Sequence, residues 1–179
     1  KSKKIFLLST FLCHPSMANN ELSGPLTMIG LYQNIKKWKN KNLTYKFLIN
    51  PETIGSICFL HKNKKSIKKI IHSGTVLTCL GGKYKNLSYS KSRFANSPLD
   101  RLITHFNKSK QFHIHNFDPS QGGDERQFCS SEFNLPVGRI ERNGKGHYAE
   151  YHTHLDTKKV MGIQKIEDSI SQLTNLLKY

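Results

Sequence analysis

Acidic residues are scarce in this sequence. Only 12 aspartates and glutamates stand against 28 lysines and arginines in 179 residues, a formal net charge of +16. Arginine is scarce too, with 5 of the 28 basic positions. Phosphate and base recognition favours the planar guanidinium fork. The charge is therefore read first as a lysine-rich composition, and only after that as the footprint of a nucleic acid or an anionic polymer. No run of apolar residues approaches the roughly 18–20 needed to cross a bilayer as a helix. With 12 glycines and 6 prolines the chain is neither collagen-like nor a linker. The four cysteines, Cys13, Cys58, Cys79 and Cys129, form no C-x-x-C pair. That excludes a zinc-finger spacing and argues against a disulfide framework, which points to a reducing, cytoplasmic compartment. Cys13, Cys58 and Cys79 sit in apolar runs and are expected to be buried. H-E-x-x-H, G-x-S-x-G and P-loop motifs are all missing.

What is present is a chain of alternating strand and helix signals. Ile5–Leu12 lacks a helical period and reads as a buried strand, stopped at Cys13-His14-Pro15. A helix is expected over Glu21–Trp38, with Pro25 in its first turn and an apolar stripe starting at Leu26, Ile29 and Gly30. Tyr45–Ile49 reads as a second buried strand. Ile54–Leu60 reads as helix, continuing into a basic helix or loop over Lys62–Ile71. Thr75–Leu80 is expected as a third strand, closed by Gly81-Gly82. Further on, Pro98–Phe106 reads as helix, Phe112–Phe117 and Val137–Glu141 as strands, and Pro119–Asp124 as a loop. Ile163–Leu177 carries Ile163, Ile166, Ile170, Leu173 and Leu177 at helical spacing. This alternation specifies an α/β fold: a mixed, mainly parallel sheet flanked by helices. Residues 1–179 are expected to form a single domain. A chain that opens on Lys1 almost directly before a core strand, without the order of a secretory leader, is expected to be a fragment.

Ligands of such sheets bind beyond the carboxyl ends of the strands. His14 and Glu52 fall at two such ends, and His147, His152 and His154 follow a third. A carboxylate beside apolar residues, as at Glu52, suits a general base. It is equally suited to the amino end of a helix. Asp124 could cap the next helix, and Asp156 could hold the second nitrogen of a ligating imidazole at His152. The other histidines, His61, His72, His105, His113 and His115, read as surface or packing residues. Cys13 as a nucleophile beside His14 is disfavoured, because neighbours on a strand point to opposite faces.

Four segments in order carry a resemblance. Cys13-His14-Pro15-Ser16-Met17-Ala18-Asn19-Asn20-Glu21-Leu22-Ser23-Gly24 resembles H-P-S-x-A-N-D-N-x-S-G, and Pro51-Glu52-Thr53-Ile54-Gly55-Ser56 resembles P-E-T-I-G-S. Gly123-Asp124-Glu125-Arg126-Gln127-Phe128-Cys129, with Asn134-Leu135-Pro136-Val137-Gly138, is similar to S-D-E-R-Q-F-C followed by N-L-P-V-G. Tyr151-His152-Thr153-x-x-Asp156 is similar to Y-H-T-x-x-D. Together they resemble a bacterial branch of aminopeptidase-like zinc proteins, related to the aminopeptidase Y and glutaminyl-cyclase types. The resemblance implies a zinc-aminopeptidase-like fold and a zinc-dependent hydrolase acting on a peptide or amide substrate. It implies one zinc ion on His14, the residue at position 20 and His152, with Glu52 as general base. Asp124, with its neighbours Glu125 and Arg126, matches a position that orients substrate or supports the site. Members of this branch look like cytoplasmic proteins encoded near surface-polysaccharide genes, often with an extra inserted domain and a C-terminal winged helix, so the resemblance implies that this chain is a fragment without these parts and without the upstream strands.

Two-zinc relatives have Glu-Glu where Glu52-Thr53 stands, and an aspartate ligand where Thr78 stands, so the resemblance implies a one-metal design. The aspartate of A-N-D-N is Asn20 here, a neutral and weaker zinc ligand. Glu21 could replace it, although one step along a turn swings the side chain through a large angle. Three readings stay open: a zinc-dependent hydrolase, a degenerate member that keeps the fold without the activity, and a basic protein that binds an anionic polymer. The last lacks the aromatic-basic motif of single-strand binders.

Overall fold

The first apolar run is a strand, as its lack of helical period requires. Strand β1 spans Ile5–Phe11 and all but its first residue are buried. The computed structural model describes residues 2–107, 110–143 and 148–179. Successive β1 side chains feed two cores. Phe6 and Leu8 join one with Met28, Leu31, Leu99 and Leu173. Leu7 joins the other with Leu60, Ile67, Val76 and Phe128. Each fully buried leucine contributes roughly 1.5–3 kcal/mol.

The remaining strands are β2 (Thr44–Asn50), β3 (Ile71–Leu77), β4 (Leu87–Ser90), β5 (Phe112–His115) and β6 (Val137–Glu141), in the sheet order β2-β1-β3-β6-β4-β5. β2, β1, β3 and β6 run parallel; β4 pairs antiparallel to β6 and parallel to β5. The sheet is thus mixed and mainly parallel. Helices α1 (Ser23–Lys36), α4 (Pro98–Phe106) and α6 (Ile163–Leu176) supply the first core. Helices α2 (Ile54–Asn63), α3 (Ile67–Ile70) and α5 (Glu125–Phe128) supply the second. Among the described residues no helix is long and apolar enough to cross a membrane.

Several expectations are corrected. β2 is a half-buried edge strand, with Ile49 48% exposed, because the sheet ends there. β3 covers Ile71–Leu77 instead of Thr75–Leu80. Its polar first half, His72-Ser73, hid the strand signal, and Cys79 at φ +50° has already turned the chain away. β4 escaped notice because Ser88 is buried against a polar partner, its Oγ donating to the Asn143 carbonyl. β5 stops at His115, two residues before the expected Phe117. On α1 the buried stripe is Gly24, Thr27/Met28, Leu31 and Ile35, while Leu26 and Ile29 face outward. Small residues decide that rotation. A Cβ on Gly24 would lie 2.2 Å from Thr10 Oγ1, and one on Gly30 would lie 2.4 Å from Ile170 Cδ1 of α6. On α6, Ile163 is exposed. Cys13 and Cys58 are exposed and Cys79 and Cys129 buried, so apolar neighbours in sequence misjudged the first two.

Candidate active site

β1 gives way after Phe11 to a turn through Cys13-His14-Pro15, and Ser16 takes a left-handed backbone at φ 67°. The turn presents His14 with a carboxylate on each ring nitrogen. Nδ1 lies 3.1 Å from Glu21 Oε2, and Nε2 lies 3.5 Å from Glu52 Oε2. Because the strand has ended, Cys13 and His14 are not on opposite faces, and Cys13 Sγ is 3.3 Å from His14 Nδ1. Cys13 Sγ also accepts from the Glu52 amide at 3.2 Å, tying the turn after β1 to the turn after β2. Burial pushes the Cys13 thiol up, and three nearby carboxylates add to it.

Glu52 stands two residues beyond β2. Its neighbour Thr53 holds φ 61°, an unfavourable conformation for a β-branched residue. Asp124 stabilises it by accepting from the Thr53 amide at 2.7 Å. Asp124 sits at the start of α5 but makes no side-chain cap there, so its carboxylate serves the Glu52 turn instead of the helix. Burial, then the Asp124 carboxylate, raise Glu52 above the usual carboxylate range; His14 opposes the shift. Asp124 is itself raised by burial.

The chain returns to this point at His152, exposed and left-handed at φ 57°. Its ring stacks on Tyr151 at 3.9 Å and lies 5.6 Å from the His14 ring, at 28° between planes. His154 is exposed, and His147 lies outside the described residues. Asp156 is fully buried and turned to the loop before α1. Its Oδ1 accepts from the Asn19 amide and its Oδ2 from the Asn20 amide, both at 2.9 Å, while Tyr148 donates its hydroxyl to Oδ2 at 2.7 Å. Asn19 Oδ1 accepts from the Gly81 amide, so the loop is pinned on a second side as well.

Asn20 is thereby held with its side chain buried. Its Nδ2 lies 3.8 Å from Cys79 Sγ, whose thiol burial pushes up to about 12. Among the described residues Asn20 Oδ1 and Glu21 Oε1 have no hydrogen-bond partner. A buried oxygen in that position is costly unless something binds it. The tightest trio of metal-binding side-chain types among the described residues is Cys13, His14 and Glu21, with donor atoms mutually within 4.8 Å. Glu21 thus lies against His14 Nδ1.

A cavity of about 320 Å³ opens beside these residues, lined by Glu52, Tyr151, His152, Gly122, Gly123 and Arg126, and by Arg139 and Glu141 of β6. Arg139 lies between Glu125 Oε1 at 3.1 Å and Glu141 Oε1 at 3.4 Å. Glu125 is almost wholly buried, and both its oxygens also accept from the Gly123 amide. Seven of the twelve acidic residues, namely Glu21, Glu52, Asp118, Asp124, Glu125, Glu141 and Asp156, border this region. A chain of net charge +16 thus places more than half of its carboxylates, together with Arg126 and Arg139, in the loops and cavities around this region. Arg139 and Glu141 were missed from sequence. Their signal was two charges two apart on a strand ending at the site, hence on one face.

A family model described as a domain of unknown function, DUF4910, matches residues 1–179. A Clostridium acetobutylicum protein, named as a candidate polysaccharide biosynthesis protein with an aminopeptidase-like domain, is 37% identical over 166 residues, 91% of this chain and 37% of that protein. A crystal structure of a candidate peptidase from Clostridium acetobutylicum superposes with a TM-score of 0.88 at 33% identity, over 98% of this chain and 41% of the other. A zinc aminopeptidase from Bacillus subtilis superposes at 0.79 with 14% identity, over 97% of this chain and 45% of the other, a likeness of fold alone. The chain spans less than half the length of each of these relatives.

Proposed function

The chain belongs to the DUF4910 family, and from that membership and its aminopeptidase-like fold we propose a hydrolase of peptide or amide bonds that works with one zinc ion. The observation that carries the reading is the convergence of His14, Glu52 and His152, drawn from three distant segments to one end of the sheet. His14 through Nε2, Asn20 through Oδ1 and His152 would hold the ion. The donor set fits in kind. Two imidazoles are ordinary zinc ligands, and the unpartnered Asn20 oxygen awaits a positive partner. Glu21 on Nδ1 fixes the His14 ring and lends the site the negative charge that an amide at position 20 does not supply. Bound zinc would supply a Lewis acid that polarises the carbonyl and acidifies water. Glu52, with its raised affinity for protons, takes the proton from water and returns it to the leaving nitrogen. Asp124 keeps the Glu52 turn in place, Asp156 keeps Asn20 in place, and Arg126 faces the cavity where substrate would lie. The free thiols fit a reducing, cytoplasmic setting. The relative named for polysaccharide biosynthesis supports a role close to glycan chemistry.

Elemental analysis of the purified chain tests the reading. About one zinc per chain is expected, with loss of most of it in His14→Ala and in His152→Ala. Equal, trace zinc in all three proteins rejects it. The neutral amide at position 20 also favours a second reading, a degenerate member that keeps the fold and has lost the ion. That reading expects trace zinc in the natural sequence and recovery of binding in Asn20→Asp.

A further inference from the structure

A second cavity of about 660 Å³ adjoins the one that holds Glu52 and His152. Gln121, Arg139 and Glu141 line both, so the two cavities meet at these side chains. The glycine pair at 122 and 123 lines the Glu52 cavity and leaves no room for side chains. A Cβ on Gly122, at φ 107°, would lie 1.9 Å from Glu125 Oε1, and one on Gly123 would lie 2.7 Å from Glu52 Oε1. The volume is that of a small-molecule site, which runs roughly 300–1,000 Å³.

The lining of this second cavity restricts its occupant. Asn116 and Gln121 bring amides, each able to donate and to accept. Asp118 and Glu141 bring acceptors, and Arg139 brings donors already held in a fixed plane by Glu125 and Glu141. An apolar side chain would leave these charges desolvated without partners. An anion would meet three carboxylates against one guanidinium. A simple ammonium group would use the acceptors and leave the amide and guanidinium donors idle. Phe117 adds an aromatic face, whose negative quadrupole suits polarised C–H bonds. A ring that offers hydroxyls around its edge and C–H bonds on its face uses all of these groups at once. We infer that this cavity seats a glycosyl ring joined to the amide that lies at Glu52, so that the substrate is an N-acylated amino sugar or a related glycan amide. The inference rests on the hydrolase reading for the position of the amide and goes beyond it in naming the substrate class.

Binding by the metal-free chain tests it without turnover. In saturation-transfer NMR with millimolar N-acetylglucosamine, transfer to the ring protons is expected, and neither leucinamide nor lysinamide should displace the sugar at equal concentration. Asn116→Ala and Gln121→Ala alter exposed side chains and leave the cores intact. Each is expected to weaken the sugar about five- to tenfold by titration, as the loss of one or two hydrogen bonds would. Glu141→Gln, which keeps the shape of the side chain, should do the same. Absence of transfer in the natural sequence overturns the inference, as does equal binding by all three variants or displacement by leucinamide. A chain that binds zinc and cleaves peptide amides without binding the sugar defeats this inference alone. One that binds the sugar and never holds zinc defeats only the hydrolase reading.

Discussion

In the proposed one-zinc site, Asn20 is a ligand that brings no charge. It is buried, its backbone is fixed by Asp156, and its amide oxygen has no partner among the described residues. Replacing the amide by a carboxylate would put a negative charge beside the proposed zinc position. Asn20→Asp is therefore expected to tighten zinc binding by about tenfold or more, measured by competition with a chromophoric chelator. Unchanged affinity would mean that position 20 does not touch the ion. The identity of this residue was legible in the sequence. The resemblance implied a ligand at this position, but the burial of its unpartnered oxygen was not legible, because an asparagine carries the same letter whether its oxygen faces water, a backbone amide or the interior. Glu21, read from sequence only as a possible replacement for the residue at position 20, lies against His14 Nδ1, a contact that no local spacing reports.

Among the elements, α4 shows how far local signals reach. Its limits, Pro98–Phe106, match the sequence expectation, and proline in its first turn explains the start. Ser97 and Asp100 form a capping box, Ser97 Oγ accepting from the Asp100 amide at 3.1 Å and Asp100 Oδ2 accepting from the Ser97 amide at 2.7 Å. Asp100 also accepts from the hydroxyl of Tyr89 on β4 and from the amide and hydroxyl of Ser92, which joins the cap to the sheet. Asp100→Ala would leave those donors buried and unpaired. A loss of about 3 kcal/mol in unfolding free energy is expected from urea titration, against a much smaller loss for the exposed Asp118→Ala. Strands were less legible than helices. β4 and the first half of β3 are polar in sequence yet buried, because serines there meet specific partners: Ser88 the Asn143 carbonyl, and Ser73 the Leu99 amide. Hydrophobic alternation cannot report a strand of that kind.

Over the whole molecule, the site depends on closure between the ends of the chain. Asp156 grips the amides of Asn19 and Asn20 across 137 and 136 residues of sequence, and Tyr148 completes its bonding. Asp156→Asn keeps the volume but replaces one acceptor oxygen with a donor, which sets NH₂ against N–H or O–H. It is expected to lower stability by about 2–3 kcal/mol and to weaken zinc binding in the same protein. Stability loss with zinc affinity unchanged would show that the loop holds its shape without this contact. Composition and order in the sequence determined the α/β class and most of the helix limits, because hydrophobic period and breakers are local properties, and short ordered motifs singled out His14, Glu52 and His152 as candidates. Tertiary structure alone decided which way α1 is rotated, that Asp124 serves the Glu52 turn, and that seven of the twelve acidic residues come to border one region of a basic chain. Each of these follows from contacts between segments far apart in sequence, set by the sheet order and by close approaches at single glycines.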